Sequence, residues 1–127
     1  AMMMAGQRQE AAQLTEAYLL QTPSSPVAVR LAASIAAEQG DWERARQLLE
    51  HLRENGSARD VRLLADLSQA QLRAGDADAA EATAREAYRL QPSNPLAARA
   101  WGNCLNALKQ RPDDAKALLE KAKVLGG

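Results

Sequence analysis

The residues ASIAAEQGDWERA (33–45) and SQAQLRAGDADAA (68–80) share one pattern, and this pattern decides the fold. Each stretch begins with a small residue, reaches a Gly-Asp pair seven residues later and ends at an alanine five residues after the glycine. Glycine often follows the last turn of a helix because it tolerates a positive φ, and aspartate is a good cap for the next helix. The pattern therefore predicts two helices joined by a tight turn, with small side chains where the helices cross.

The pattern recurs along the chain with a period of 34 or 35 residues. Gly6 precedes Gly40 by 34 residues, and Gly75 follows Gly40 by 35. Residues 102–115, GNCLNALKQRPDDA, repeat the pattern with a longer turn in place of the glycine. Small residues in fixed columns at this period indicate stacked helix pairs in close contact. The columns are Ala33, Ser68 and Gly102 in the first helix, Ala11, Ala45, Ala80 and Ala115 in the second, and Pro23, Ser57 and Pro92 after it.

Composition narrows the classes of protein to which this sequence can belong. Of the 127 residues, 46% are hydrophobic and none is Phe. Ala, Leu, Arg, Glu and Gln, all good helix formers, predominate. Sixteen basic residues balance sixteen acidic ones, so the charge gives no indication of a nucleic acid or an anionic membrane as partner. The apolar runs are too short for a membrane-spanning helix, and a single cysteine excludes an internal disulfide.

The three columns resemble those of the tetratricopeptide repeat family. The unit of that family is a helix–turn–helix of 34 residues, with a small residue in the first helix, an alanine in the second and a proline at the end. The family's aromatic residue late in the first helix is absent, because Ala36, Gln71 and Leu105 occupy that column. The resemblance implies an all-α fold, a right-handed helical-repeat solenoid of about seven antiparallel helices. It divides a single array (1–127) into the second helix of a truncated repeat (2–25) and three repeats (26–59, 60–94 and 95–127).

Capping residues set the predicted starts of the helices. Most starts carry a Ser, Asn or Asp side chain that accepts a hydrogen bond from the first turn, in two cases directly before a proline. The predicted caps are Ser25, Asp41, Asp76, Asn94 and, in the last repeat, Asp113 or Asp114. The predicted helices are 7–21, 26–38, 42–54, 60–73, 77–90, 95–108 and 113–125.

Each side chain that is capable of chemistry has a structural explanation. His51 has no second His or Cys near it, so we expect a surface residue rather than a metal ligand. We expect Cys104 to be a small buried residue, Trp101 to lie in the core and Trp42 to be partly buried at a turn. No Ser, Thr or Cys has a recognisable base partner, and no glycine-rich phosphate loop occurs. The sequence therefore predicts no enzyme, no catalytic residue, no metal and no cofactor.

The resemblance also implies a binding surface, because the first helices of this family line a concave groove. The groove positions carried over to this sequence hold four arginines and one glutamate, Glu38, which predicts a mildly basic groove. The planar arginine side chain suits carboxylates, amides can hold a peptide backbone, and leucines offer apolar contact. The alternative is an exposed charged face that only solvates the helices. The predicted ligand-binding residues are Arg30, Ser34, Arg62, Gln69, Leu72, Arg73, Leu96, Arg99, Asn103 and Asn106.

The predicted function is a scaffold that binds an extended segment of a protein or peptide partner, with no nucleic acid and no membrane insertion. The alternative is a structural spacer in a longer solenoid, resembling repeat proteins of envelope or polysaccharide-export assemblies. Three methionines after Ala1 predict a fragment of a longer protein. A composition rich in Ala and Arg is typical of bacterial proteins. An unpaired helix at the start predicts self-association through that helix. The compartment and the identity of the partner stay open.

Overall fold

The fold is a row of helix pairs, as a computed structural model of residues 13–14 and 25–126 shows. Six α-helices and no strand lie in residues 25–126: α1 (Pro26–Glu38), α2 (Trp42–Leu52), α3 (Val61–Arg73), α4 (Ala77–Leu90), α5 (Pro95–Leu108) and α6 (Pro112–Gly126). Of the predicted helix 7–21, only Gln13 and Leu14 are described, and both are helical. The rest of that helix, with the self-association predicted for it, lies outside the described residues.

Two of the helix pairs are joined by the glycine turn that the sequence predicts. Gly40 and Gly75 have φ values of 78° and 96°, in the left-handed region that a residue without a Cβ enters at little cost. After Gly40, the N–H of Asp41 donates to the carbonyl of Ala36 at 2.8 Å, and an equivalent bond follows Gly75. This bond satisfies a carbonyl that the helix end would leave without a partner. The predicted caps Ser25, Asp41, Asp76 and Asn94 each accept a hydrogen bond from their helix.

The turn between α5 and α6 makes the same hydrogen bond without a glycine. Lys109 stands in the left-handed conformation, with a φ of 55°, and the next N–H, that of Gln110, donates to the carbonyl of Leu105 at 3.0 Å. This conformation costs a residue that carries a Cβ about 1–2 kcal/mol. The next helix begins three residues after Lys109 but only two residues after Gly40 or Gly75, so the longer turn expected from the missing glycine is present, and it carries strain that the two glycine turns avoid.

The capping prediction for the last helix is wrong. α6 begins at Pro112, so Asp113 and Asp114 lie inside its first turn. Arg111, at a φ of 47°, precedes the helix, and its carbonyl accepts from the N–H of Ala115 at 2.9 Å. Asp114 instead accepts a hydrogen bond from Nε of Arg111 at 2.7 Å. The extra residue of the turn causes this shift, and the two carboxylates still favour the helix start through their charge.

The helices of each pair cross at the predicted small residues. In the α1–α2 pair both residues are alanines, and both are buried in one core cluster. In the next pair, Oγ of Ser68 donates to the carbonyl of Ala80 at 2.9 Å. In the third pair, a Cβ added to Gly102 would lie 3.1 Å from the carbonyl oxygen of Ala115. Backbones that approach this closely leave no room for larger side chains.

The stretch from the start of α2 to the start of α3 is one residue longer than the stretch from the start of α4 to the start of α5. The first helices α1, α3 and α5 begin at residues 26, 61 and 95, which are 35 and 34 residues apart. The helix α2 ends at Leu52, two residues before the predicted end, and the chain continues as an irregular turn, Arg53–Ser57, in which Asn55 and Gly56 leave the helical conformation. Gly56 has a φ of 117°, which a residue without a Cβ adopts at little cost, and this allows the backbone to change direction.

The prediction that Trp101 lies in the core is wrong, because its indole is only half-buried. The ring packs against Tyr88 at a centroid distance of 5.1 Å, and Nε1 donates to Oε1 of Glu81 at 3.2 Å. An indole N–H needs a polar partner, which holds the ring at the edge of the core rather than inside it. The other three expectations are confirmed: Cys104 is buried, Trp42 is half-buried and His51 is exposed.

Candidate binding groove

The cavity between the first helices α3 and α5 is the candidate functional site. Helix α5 packs directly on α3, and a cavity of about 510 Å³ remains between the sides that face each other. Its walls hold six of the ten residues predicted to bind a ligand: Gln69, Leu72, Arg73, Leu96, Arg99 and Asn103. Its other lining residues are Ala65, Asp66, Ser68, Ala100 and Cys104. We call this cavity the α3–α5 groove.

The other four predicted residues lie elsewhere, so the four arginines do not converge. Arg30 and Ser34 line a separate cavity of about 340 Å³ on α1. Nη2 of Arg30 also forms an ion pair with Oδ2 of Asp60 at 2.8 Å. Arg62 and Asn106 are exposed and line neither of these two cavities. The structure thus brings only Arg73 and Arg99 together in one groove.

Both arginines of the α3–α5 groove are exposed and have free hydrogen-bond donors. Within the described residues, neither Arg73 nor Arg99 forms an ion pair with a carboxylate. The guanidinium carbon of Arg73 lies 5.7 Å from the ring centroid of Trp42, which belongs to α2. A guanidinium with free donors can form two parallel hydrogen bonds to one carboxylate. The groove therefore offers two places for an anionic group.

Asp66 gives the groove an acidic side chain that was not among the predicted residues. Loss of hydration near the surrounding protein raises its pKa, and the charge of Asp60 raises it further, whereas Arg62 and Arg30 oppose the shift. Asp66 is therefore protonated more readily than an ordinary aspartate. Two arginines and one aspartate leave the groove mildly basic, and it becomes more basic as the pH falls.

A serine and a cysteine form the floor of the groove. Both Ser68 and Cys104 are buried, and Sγ of Cys104 lies 3.2 Å from Oγ of Ser68. Burial raises the pKa of the Cys104 thiol, although its hydrogen bond with Ser68 acts against the shift. A protonated thiol packs but is a poor nucleophile. Helical spacing could have identified both residues, since they follow the lining residues Ala65 and Ala100 by three and four positions.

The shape of the groove suits a short stretch of extended peptide. Leu96 is the second residue of α5, and Arg73 is the last residue of the neighbouring α3. Since α3 begins at residue 61 and α5 at residue 95, Leu96 occupies the repeat position equivalent to Arg62, eleven residues before Arg73. Eleven residues of helix rise about 16 Å, which is the length of about five residues of extended peptide. Leu72 and Leu96 supply apolar contact, and the exposed amides of Gln69 and Asn103 lie between them.

Within residues 13–14 and 25–126, no group of three or more His, Cys, Asp or Glu side chains is arranged to hold a metal ion. No helix in the described part of the protein is both long enough and apolar enough to cross a membrane.

Paired helices, small crossing residues and a groove between first helices define a helical-repeat protein of the solenoid class. A family model described as tetratricopeptide repeat matches residues 2–67, about half of the sequence. The chain belongs to the tetratricopeptide repeat family, which confirms the predicted family and the all-α repeat fold. Membership implies a role in protein–protein interaction or as a scaffold, and such proteins are typically not catalytic.

Three solved structures share the fold. MamA of MSR-1 is 18% identical, with a TM-score of 0.78, and the match covers 93% of this chain and 67% of that one. MamA of AMB-1 is 20% identical, with a TM-score of 0.74 and coverages of 90% and 66%. TTC0263, a thermophilic TPR protein of Thermus thermophilus, is 23% identical, with a TM-score of 0.78 and coverages of 95% and 67%. The chain thus spans about two thirds of each of these proteins. No curated protein matches the sequence.

Proposed function

We propose that the chain is a non-catalytic interaction scaffold whose α3–α5 groove binds an extended, acidic segment of a partner protein. The observation that supports the proposal is the pair Arg73 and Arg99, which line one cavity and form no ion pair within the described residues. Arginine recognises carboxylates through its planar donors. A groove with free arginines therefore favours a partner that brings the carboxylates.

The affinity comes from several weak contacts rather than from one strong one. An exposed charge pair contributes only about 0.2–1 kcal/mol, so two arginines alone give little binding. Leu72 and Leu96 add apolar contact at two places along the groove. The amides of Gln69 and Asn103 can bond the backbone of the ligand. Because exposed charges are screened by salt, binding weakens as the ionic strength rises.

The proposal is tested by titration with pools of acidic, neutral and basic six-residue peptides. We expect the acidic pool to bind best, because only its carboxylates complement Arg73 and Arg99. The double variant Arg73→Glu with Arg99→Glu should lose about tenfold or more in affinity for that pool, because two attractive contacts become repulsive. Calorimetry at low and at high salt measures both the affinity and its salt dependence.

The matched control is Arg85→Glu with Arg89→Glu on α4, which changes the net charge equally. These two arginines pair with Glu81 and Glu86 and do not line the groove. The control should bind the acidic pool almost as the wild type does. Equal binding of all three pools, or acidic binding that survives the groove reversal, would contradict the proposal.

Exposed apolar side chains at the end of α6 favour a second candidate function, a structural spacer in a longer array. Val124 and Leu125 are 85% and 43% exposed. A solenoid repeat normally covers such residues with the next repeat. If no peptide pool binds, while fusion of a further repeat after α6 raises the melting temperature, the spacer becomes the better account.

A further inference from the structure

We infer that Trp42, which does not line the α3–α5 groove, is a positioning residue that holds Arg73 ready to bind a carboxylate. The inference rests on the proposed function. Trp42 is the first residue of α2, and Arg73 is the last residue of α3. The two are 31 positions apart in the sequence, yet the guanidinium lies over the indole, 5.7 Å from the centroid of the ring.

The ring itself is well anchored. Trp42 is half-buried and packs against the core cluster that α1, α2 and α3 share. A free arginine side chain has many rotamers and loses this freedom when it binds a ligand. A guanidinium that already rests on an aromatic face has lost part of that freedom, so less is lost on binding. Trp42 thereby lowers the cost of binding at one end of the groove.

The stacked arrangement leaves the donors of Arg73 available. A ring covers the face of a guanidinium, whereas the N–H groups point outward in its plane, where a carboxylate binds. Each of the other two cations that lie over aromatic rings already donates a hydrogen bond to a neighbouring side chain. Arg111, over Trp101, donates to Asp114, and Lys121, over Tyr88, donates to the phenol oxygen. Among the described residues, Arg73 is the stacked cation that forms neither a hydrogen bond nor an ion pair.

The ligand recognised at this end is a carboxylate, which an acidic side chain or the carboxyl terminus of a polypeptide can supply. Leu96 lies at the other end of the groove, which the rise of eleven helical residues makes about 16 Å long. The inference therefore specifies a segment with an acidic end near Arg73 and an apolar residue about five positions from it. Peptides with glutamate or glutamine at that end, each made with a free or amidated carboxyl terminus, distinguish the two sources of the carboxylate.

The test is the affinity of a fluorescently labelled six-residue peptide with leucine at one end and glutamate at the other. Trp42→Met keeps bulk against the core but removes the aromatic face, and it should weaken binding about three- to fivefold. Trp42→Phe restores a ring and should recover most of the affinity. In an Arg73→Gln background, Trp42→Met should have no further effect, because the residue that it positions is gone. In an Arg99→Gln background, the three- to fivefold loss should persist.

A second readout follows Trp42 itself. The protein has only two tryptophans, so Trp101→Phe makes Trp42 the sole reporter. Peptide binding should shift its emission, and Arg73→Gln should abolish the shift. If the wild type does not bind the acidic peptide, the proposed function fails, and the inference fails with it. If the wild type binds and Arg73→Gln weakens binding, but Trp42→Met has no effect or acts equally without Arg73, the inference alone is overturned.

Discussion

The first helices of the three repeats form two neighbouring surfaces of different character. Between α3 and α5 the helices pack directly, and a cavity opens with two free arginines on its walls. Helix α1 has no comparable packing on α3, and Arg30 is tied to Asp60 by an ion pair. Equivalent repeat positions therefore form an open groove between α3 and α5, whereas between α1 and α3 an ion pair joins the two helices.

The comparison of the two surfaces shows that a repeat position determines which side of a helix a side chain occupies. It does not determine how closely two neighbouring first helices pack. The stretch from the start of α2 to the start of α3 is one residue longer than that from α4 to α5, and it includes the irregular turn Arg53–Ser57. It also brings Asp60, the cap of α3, within reach of Arg30 on α1. The two surfaces therefore differ both in the spacing of their repeats along the chain and in whether their arginines are paired.

The largest loss of stability is expected when a larger side chain is placed where the two helices of a pair cross. Ala80 is buried against Ser68 beneath the α3–α5 groove, and Ala45 is its counterpart in the α1–α2 pair. Replacing either alanine with leucine should destabilise the fold by about 1–3 kcal/mol, because the backbones must separate. Only Ala80→Leu should also abolish binding of the acidic peptide, since it disturbs the groove floor. Denaturant unfolding and peptide titration measure the two effects.

Under conditions where it is folded, Ala45→Leu should weaken peptide affinity by no more than the roughly three- to fivefold expected for Trp42→Met, because Ala45 can affect the groove only through Trp42, which packs on the same core cluster. If the two variants impair binding equally, the two surfaces are coupled and do not act as separate units. If neither variant lowers the free energy of unfolding, the assigned crossings are wrong.

A smaller effect should come from relieving the strained turn of the repeat that supplies α5. Lys109→Gly removes the Cβ from a residue at a φ of 55°. We expect a gain of about 0.5–1 kcal/mol, the released strain being partly offset by the greater freedom of glycine in the unfolded state. Gly75→Ala is the reciprocal control, because a Cβ there meets no atom within 4 Å and only the positive φ opposes it. It should lower the melting temperature, and a rise would contradict this account.

The smallest effect concerns the ion pair that bridges α1 and α3. Burial alone would raise the pKa of Asp60, but the hydrogen bond from the Leu63 N–H and the ion pair with Arg30 lower it below its ordinary value of 3.8. A lowered pKa means that the charged carboxylate stabilises the fold above pH 3.8, and that this contribution is lost as the pH falls through the lowered pKa. Asp60→Asn keeps a capping side chain and removes the charge.

We expect Asp60→Asn to lower the free energy of unfolding at neutral pH by about 0.2–1 kcal/mol, since both partners are more than a third exposed. The gap between the variant and the wild type should close in acid. Asp76→Asn, at a cap without an ion pair in the described part of the protein, should show a smaller gap. A gap that widens in acid would rule out this role of the ion pair.

Local chemistry made much of the fold predictable. The helices 26–38, 77–90 and 95–108 have the predicted bounds, because caps, prolines and glycines act within one turn of the helix. The start of α6 differed because the number of residues in a turn without glycine does not follow from its composition. Trp101 is less buried than predicted because its indole N–H donates to Glu81, which is 20 positions away in the sequence.

The residues that line the groove were predictable only where the side of the helix alone determines their position. Gln69, Leu72, Leu96 and Asn103 were predicted from the groove positions that the family resemblance implies, and they line one cavity because a repeat position fixes the side of the helix. The separate positions of Arg30 and Arg73 could not be found in this way. Each depends on a residue about 30 positions away, Asp60 in one case and Trp42 in the other. The position of a long charged side chain depends on the partner that it contacts. A single sequence does not show which residue that partner is.

Gln71 has a consequence for how the repeats can be ordered. It is buried where the family has an aromatic residue, and its Nε2 donates to Oε1 of Glu50 on α2, at 3.5 Å. Its Oε1 has no partner within the described residues. A buried amide without polar partners costs about 1–3 kcal/mol, so this repeat is best tolerated beside a neighbour that offers a carboxylate. The units are therefore not interchangeable, and a shuffled array would place Gln71 against a neighbour that lacks Glu50.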